Sequence, residues 1–262
     1  MRPIKEIFKN RISEVKLSGK EITSERQTPD FIITADELIG NDITEIPMLV
    51  DPIFQKTGVV AFAGSSDTGK SSLLRQLSMN IVTGEKEFLG FKLNSAHQSV
   101  IYVSTEDDEL ELSTFLKKQN KDDLPTDKFT GLRFIFDTRN LIKKLTDELR
   151  GAPADCVIID SFFDVLNNAY DKHFGSIRSF LSEYSQIVNN FKCLIIFLYH
   201  TNNNLLVSQD FEDRMITIVE LKGDKYYDEL RHLRIVKRKY IPIERKENSK
   251  ELLFNISNLL MY

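Results

Sequence analysis

Apolar residues along the chain gather in short runs that alternate with segments of helical periodicity. Gly58-Val59-Val60-Ala61-Phe62-Ala63 is a run of buried-strand length. Leu73, Leu74, Leu77 and Ile81 then recur at helical spacing, so the predicted order is strand, loop, helix. Further strands are predicted over Ser99–Ser104 and Leu132–Phe136. Between them the acidic stretch Glu106–Glu111 opens a helix, since carboxylates are favoured at a helix N-terminus. Leu141, Ile142, Leu145 and Leu149 mark the next helix, and the turn Gly151-Ala152-Pro153 ends it. Cys156-Val157-Ile158-Ile159-Asp160 is the fourth strand. Phe174, Ile177, Phe180, Leu181, Tyr184, Ile187 and Val188 keep a long helical stripe, and Cys193–Tyr199 is a fifth strand, apolar on both faces.

Apolar strands alternating with amphipathic helices imply βαβ units, hence an α/β fold with a mainly parallel central sheet and helices on both faces. From Met215 the pattern turns to strands over Met215–Leu221, Leu230–Lys239 and Leu252–Ile256, with turns at Gly223-Asp224 and around Pro242. These are expected to add an antiparallel C-terminal extension. Residues 1–45 are polar and mixed in charge, with weak periodicity around Ile4, Ile7, Phe8 and Ile12, and read as an N-terminal arm or adaptor. Residues 46–262 form the expected core domain, entered through Ile46–Ile53.

With 262 residues the chain fits one generous α/β domain, domains usually running to about 100–200 residues. Its 41% hydrophobic and 28% charged residues suit an ordinary globular protein. A net charge of −4 and a pI near 5.7 argue against coating nucleic acid through bulk charge, which leaves a local basic stripe as the route to such a partner. Cys156 and Cys193 sit at apolar strand starts without partner spacing, so they are read as small hydrophobes. The start Met1-Arg2-Pro3-Ile4-Lys5-Glu6 leads into no signal-peptide core, and no run approaches the ~20 apolar residues of a membrane span, so a cytoplasmic location is expected.

The chemistry concentrates in Gly64-Ser65-Ser66-Asp67-Thr68-Gly69-Lys70-Ser71, which matches G-x-x-x-x-G-K-[ST] in full between a predicted strand and helix. Small residues let backbone N–H groups wrap phosphate oxygens at the positive end of the following helix. Gly64 through Ser72 are therefore the expected ATP-binding residues: Gly64, Ser65, Ser66, Asp67, Thr68, Gly69, Lys70, Ser71 and Ser72. Lys70 is to reach the β/γ-phosphates and Ser71 to hold Mg2+. Asp160 closes an apolar strand in the manner of a Walker B aspartate and is the second expected magnesium ligand; its plainer reading is a cap on the next helix. Glu106, after the strand ending in Ser104, is placed to orient or deprotonate an attacking water. Asp107 and Asp108 suit a solvated helix N-terminus better.

A Walker A loop, a glutamate after the next strand, a Walker B aspartate followed by Ser161, and an apolar strand ending in His200 together resemble the RecA-like ATPases. The likeness extends over about residues 46–240 and is nearest to the hexameric RepA-type helicases. That resemblance implies Glu106 as catalytic glutamate and His200 as sensor of the γ-phosphate. It also makes Asn202–Gln209 the loop facing a central channel and DNA, although this loop carries no Lys or Arg. Lys237 and Lys239, in Arg234-Ile235-Val236-Lys237-Arg238-Lys239-Tyr240, fit the Lys-x-Lys form by which such enzymes reach a neighbour's ATP site. Strand alternation puts both on one face; apart from the resemblance they also suit a charged edge strand that discourages aggregation. The arginine sometimes found after the channel loop is replaced by Leu205-Leu206-Val207. His97, His173 and His232 have no partners at metal spacing and are read as surface or packing residues.

The expectation is thus an oligomeric ATPase, as a hexamer in the implied family, working with Mg2+ and on single-stranded DNA in replication, mobilisation or repair. The competing expectation is a nucleotide-dependent switch or assembly scaffold with slow hydrolysis. A small-molecule P-loop kinase ranks third, for want of a recognisable lid and acceptor pocket.

Overall fold

The computed structural model describes residues 33–170, 177–201, 209–239 and 251–256. The chain divides into two units, Met1–Asp42 and Ile43–Tyr262. The described part of the first holds one short helix, α1 (Ala35–Ile39), entered through Thr34, whose amide donates to the Glu37 carboxylate at 2.9 Å.

In the second unit the lead-in folds as a hairpin, β1 (Met48–Asp51) and β2 (Phe54–Gln55), followed by the core strand β3 (Gly58–Gly64) and helix α2 (Lys70–Thr83). A second hairpin, β4 (Glu87–Phe88) and β5 (Phe91–Leu93), joins the first in a small antiparallel sheet of order β2-β1-β5-β4. These two-residue and three-residue strands are too short to leave a periodic signal in sequence. Then come β6 (Val100–Ser104), α3 (Glu109–Gln119), β7 (Leu132–Ile135), α4 (Leu141–Gly151) and β8 (Cys156–Asp160). The chain continues through α5 (Phe162–Tyr170), α6 (Ile177–Phe191), β9 (Leu194–His200), α7 (Gln209–Arg214), β10 (Thr217–Gly223), β11 (Leu230–Arg238) and β12 (Glu251–Asn255).

The main sheet has the order β12-β11-β10-β3-β9-β8-β6-β7. All pairings from β10 through β7 are parallel. The antiparallel extension is present, but it starts one strand later than expected. β10 pairs in parallel with β3, Thr217 opposite Val60, while β11 on β10 and β12 on β11 are antiparallel. The reason is the crossover from β9 to β10, which contains α7 and returns the chain to the same end of the sheet, as a parallel pair requires.

Side chains of β3 alternate strictly between two cores. Val59, Ala61 and Ala63 pack with α4, α5, α6 and α7 on one face, whereas Val60 and Phe62 pack with α2 and the small sheet on the other. Covering on both faces is what makes these strands read as unbroken apolar runs. Cys156 and Cys193 are free and buried, and burial pushes the Cys193 thiol up to about 12.

Helix α5 carries no expected counterpart, yet its first residue anchors one core. The Phe162 ring lies 5.9 Å from Phe180, 5.1 Å from Phe197 and 4.7 Å from Phe211, centroid to centroid, tying α5 to α6, β9 and α7. Phe162→Ala is expected to cost about 3–5 kcal/mol, read as a lower urea midpoint with an unchanged slope.

Candidate nucleotide-binding site

Four parallel strands end at one edge of the sheet, and their register sets the site. Gly64 at the end of β3 lies opposite His200 at the end of β9, and Ser104 on β6 lies opposite Asp160 on β8. Between β3 and α2 the chain turns through Ser65–Gly69. Gly64 cannot carry a side chain, because a Cβ there would fall 2.4 Å from the Leu221 carbonyl oxygen. Asp67 at φ 62° and Gly69 at φ 85° take left-handed conformations, which turn successive amides toward one concavity.

Lys70 is buried at 3% exposure, its ammonium donating to the Ser65 carbonyl at 2.7 Å. It also lies 3.1 Å from His200 Nδ1, and His200 Nε2 lies 3.3 Å from Glu106 Oε1. A protonated Lys70 makes Nδ1 the acceptor, so Nε2 carries the proton and donates to Glu106. Burial pulls the Lys70 amine below its ordinary range, opposed by the negative charges of Asp160, Glu106 and Asp67.

Asp160 is likewise buried, at 3% exposure. The Tyr102 phenol donates to its Oδ2 at 2.7 Å, whereas Oδ1 makes no hydrogen bond. Burial pushes this carboxyl above the ordinary range, against the pull of the Tyr102 and Ser71 hydroxyls. The Asp160–Ser161 peptide is cis. Its backbone is held by Thr105, whose amide donates to the Asp160 carbonyl at 2.8 Å and whose Oγ1 accepts from the Ser161 amide at 2.8 Å. Asp164 Oδ2 lies 2.7 Å from both the Thr105 and Ser161 hydroxyls. A buried carboxylate oxygen without a donor is costly, and the hard oxygens of Asp160 and Ser71 are the kind that hydrated Mg2+ accepts, so the residues present fit that ion.

A family model described as an AAA domain matches residues 23–204. The chain belongs to that family, the AAA-type P-loop ATPases. No protein in the curated comparison matches it.

Within the AAA domain, the acidic stretch after β6 divides differently from its sequence reading. Asp108 is the N-cap of α3, accepting from the Leu110 and Glu111 amides at 2.8 and 2.9 Å, with Glu111 closing a capping box. Asp107 was expected on the same solvated helix end, but it turns inward to Arg75, 2.9 Å away, where the pair's side chains are 26% and 5% exposed. Burial raises the Asp107 carboxyl while the Arg75 guanidinium opposes the rise. Arg75 lies on α2 and also meets Ser72 Oγ at 3.1 Å and Gln119 Oε1 at 3.4 Å, so it holds the turn bearing Glu106 against the helix of the phosphate loop. No spacing in the sequence announces that contact.

The matched residues stop before β10, and the basic residues of β11 lie beyond them. Ile218 pairs with Lys237 and Val219 with Ile235, so Val236 is an extra residue, a bulge that reverses the facing of the strand. Lys237 and Lys239 share one face, and their ammonium groups donate to the Glu212 and Asp213 carbonyls of α7. Arg231, on the opposite face, donates from Nε to the Thr68 carbonyl at 2.8 Å. The sequence reading missed Arg231, Arg75 and Tyr102 and singled out Lys237 and Lys239. The channel loop over 202–208, His173, and residues 1–32 lie outside the described residues.

Lys70, Ser71, Glu106, Asp164, His200 and Arg231 line one cavity of about 1080 Å³. Because Arg75 braces Glu106 without reaching that cavity's phosphate end, Arg75→Met is expected to slow turnover about tenfold or more through misplacement of Glu106. Equilibrium binding of a fluorescent ATP analogue should stay near wild type; an equal loss of binding would remove this role.

Proposed function

We propose that the chain is a Mg2+-dependent ATPase of the RecA-like, RepA type, working as an oligomer on DNA in replication, mobilisation or repair. The observation that carries the ATPase part is the line from Lys70 through His200 to Glu106, set beside a buried Asp160 oxygen that lacks a donor. ATP would lie with its phosphates against the amides of Ser65–Ser72 and the Lys70 ammonium, at the N-terminus of α2. Ser71 and Asp160 would hold Mg2+, which when bound neutralises charge on the β and γ oxygens.

Hydrolysis in this reading is chiefly positioning. Glu106 orients the attacking water and takes its proton. His200, bonded to Glu106 on one side and Lys70 on the other, would give up the lysine to the γ-phosphate, take a proton from solvent at Nδ1 and donate it to a γ-phosphate oxygen, and so report nucleotide state toward the chain that follows β9. Lys237 and Lys239 are proposed to act in a neighbouring subunit. Within the chain both donate to backbone carbonyls, and the exposed Asp213 carboxylate lies 4.0 Å from the Lys237 ammonium, contacts that a polyphosphate can outcompete as an acceptor for ammonium.

A second reading, a nucleotide-dependent switch or assembly scaffold with slow hydrolysis, draws support from the pI near 5.7 and from the lack of Lys or Arg in residues 202–209. The two diverge in steady-state ATPase rate against protein concentration, with and without single-stranded DNA. A steep rise with both supports the assembled DNA-dependent enzyme, and slow turnover indifferent to both supports the switch.

Lys70→Ala is expected to abolish ATP binding, while Glu106→Gln keeps binding and loses turnover by about 10²–10⁴-fold. Retained hydrolysis in Glu106→Gln would take that residue out of its role. Mixing Glu106→Gln with Lys237→Ala should restore activity at composite interfaces; strictly additive rates would show that sites are not shared between subunits.

A further inference from the structure

The strand order fixes which end of a bound nucleotide goes where. Glu106 follows the end of β6, and His200 and Asp160 end β9 and β8, all to one side of β3, so they define the terminal-phosphate end. On the other side of β3 lie β10 and β11, and there Arg231 enters the cavity wall.

Arg231 is held by backbone oxygens. Nε donates to the Thr68 carbonyl at 2.8 Å, and Nη1 donates to the carbonyls of Leu230, at 2.9 Å, and Asp228. The turn that supplies them is itself braced: Asp224 accepts from the Tyr226 and Tyr227 amides at 2.8 and 3.1 Å and lies 2.7 Å from His232 Nε2. Among the described residues no carboxylate pairs with Arg231, so its charge stays uncancelled beside the phosphate loop.

An anion-binding loop needs its amides turned inward and its carbonyls turned out, since an inward carbonyl dipole repels phosphate oxygens. Two carbonyls of this loop are engaged by side chains. Ser65 O accepts from Lys70 Nζ and from Thr68 Oγ1, at 2.7 and 3.0 Å, and Thr68 O accepts from Arg231. The first pair is local to the loop; the second spans 163 positions of sequence.

We propose that Arg231 is a positioning residue for the phosphate loop of its own chain. It keeps the Thr68 carbonyl directed away from the polyphosphate and adds positive charge to the cavity wall, which makes β11 part of the nucleotide site. The proposal rests on the nucleotide-binding reading above, and its test separates the two.

The test measures equilibrium binding of ATP and of inorganic tripolyphosphate to the full chain, comparing wild type, Lys70→Ala, Arg231→Gln and Arg231→Lys. A loop-positioning role predicts that Arg231→Gln weakens both ligands by a similar factor, about 10–100-fold, since neither base nor ribose is involved. Arg231→Lys keeps the charge but loses the fixed direction of the Nε–H donor, and is expected to lose about three- to tenfold for both. Loss for ATP with tripolyphosphate unchanged would overturn the proposal, placing Arg231 on the base or ribose instead. Wild-type affinity in Arg231→Lys together with wild-type affinity or failure to fold in Arg231→Gln would overturn it too. Equal affinity of wild type and Lys70→Ala for both ligands would instead sink the nucleotide reading itself.

Discussion

A lysine ammonium placed inside a protein has to be compensated, and the centre of this molecule is arranged around one such group. Lys70 is almost wholly covered, and burial alone would drive it toward the neutral amine. Its charge is sustained by the Ser65 carbonyl, by His200 Nδ1 and by the field of Asp160, Glu106 and Asp67. These partners come from the loop after β3 and from the ends of β9, β8 and β6. A single cation therefore dictates that four strands finish at the same level, and the pairings Gly64 with His200 and Ser104 with Asp160 are how that level is kept. A polyphosphate brings negative charge of its own to the ammonium, so an amine kept charged by these partners is one that a phosphate ligand can use.

The requirement propagates outward through backbone as much as through side chains. Asp160 can keep one oxygen open only because its other oxygen is fixed by Tyr102, a residue fully buried on the neighbouring strand. Glu106 sits at 47% side-chain exposure, where a loop would ordinarily wander, but the adjacent Asp107 is pinned to α2 by Arg75 and the following Asp108 caps α3. Glu106 is thus positioned through its two sequence neighbours as well as by its contact with His200.

These relations explain what could be read from the sequence. Strands β3, β6, β8 and β9 were legible because a strand covered on both faces must be apolar throughout, and the phosphate loop was legible because its function fixes residue type at fixed spacing. The placement of Asp160 and His200 at strand ends, and of Glu106 just past one, followed from those runs. The small sheet was not legible, its strands being too short for a period. Helix α5 was hidden because Phe162 and Phe163 continue the apolar character of β8 across Asp160-Ser161, leaving no polar break of useful length. Arg75, Tyr102 and Arg231 act through partners 32, 58 and 163 positions away, and no local pattern encodes such a pairing.

The bulge at Val236 shows why β11 resisted a reading by alternation alone. Arg231, Leu233 and Ile235 share a face, and Leu233 and Ile235 pack with the apolar cluster of α2. Without the extra residue, Lys237 and Lys239 would follow onto that face, away from the α7 carbonyls to which they now donate, and an unpartnered ammonium against an apolar cluster is strongly unfavourable. The bulge sends them to the other side, where the C-terminal end of α7 offers carbonyls with a partial negative charge. One strand thereby serves two surfaces: its first half reaches the phosphate loop of its own chain through Arg231, and Lys237 near its end and Lys239 just past it are held on the opposite face by the Glu212 and Asp213 carbonyls, with the Asp213 carboxylate 4.0 Å from Lys237. The bulge therefore divides β11 between an arginine turned to the phosphate loop and lysines turned to α7.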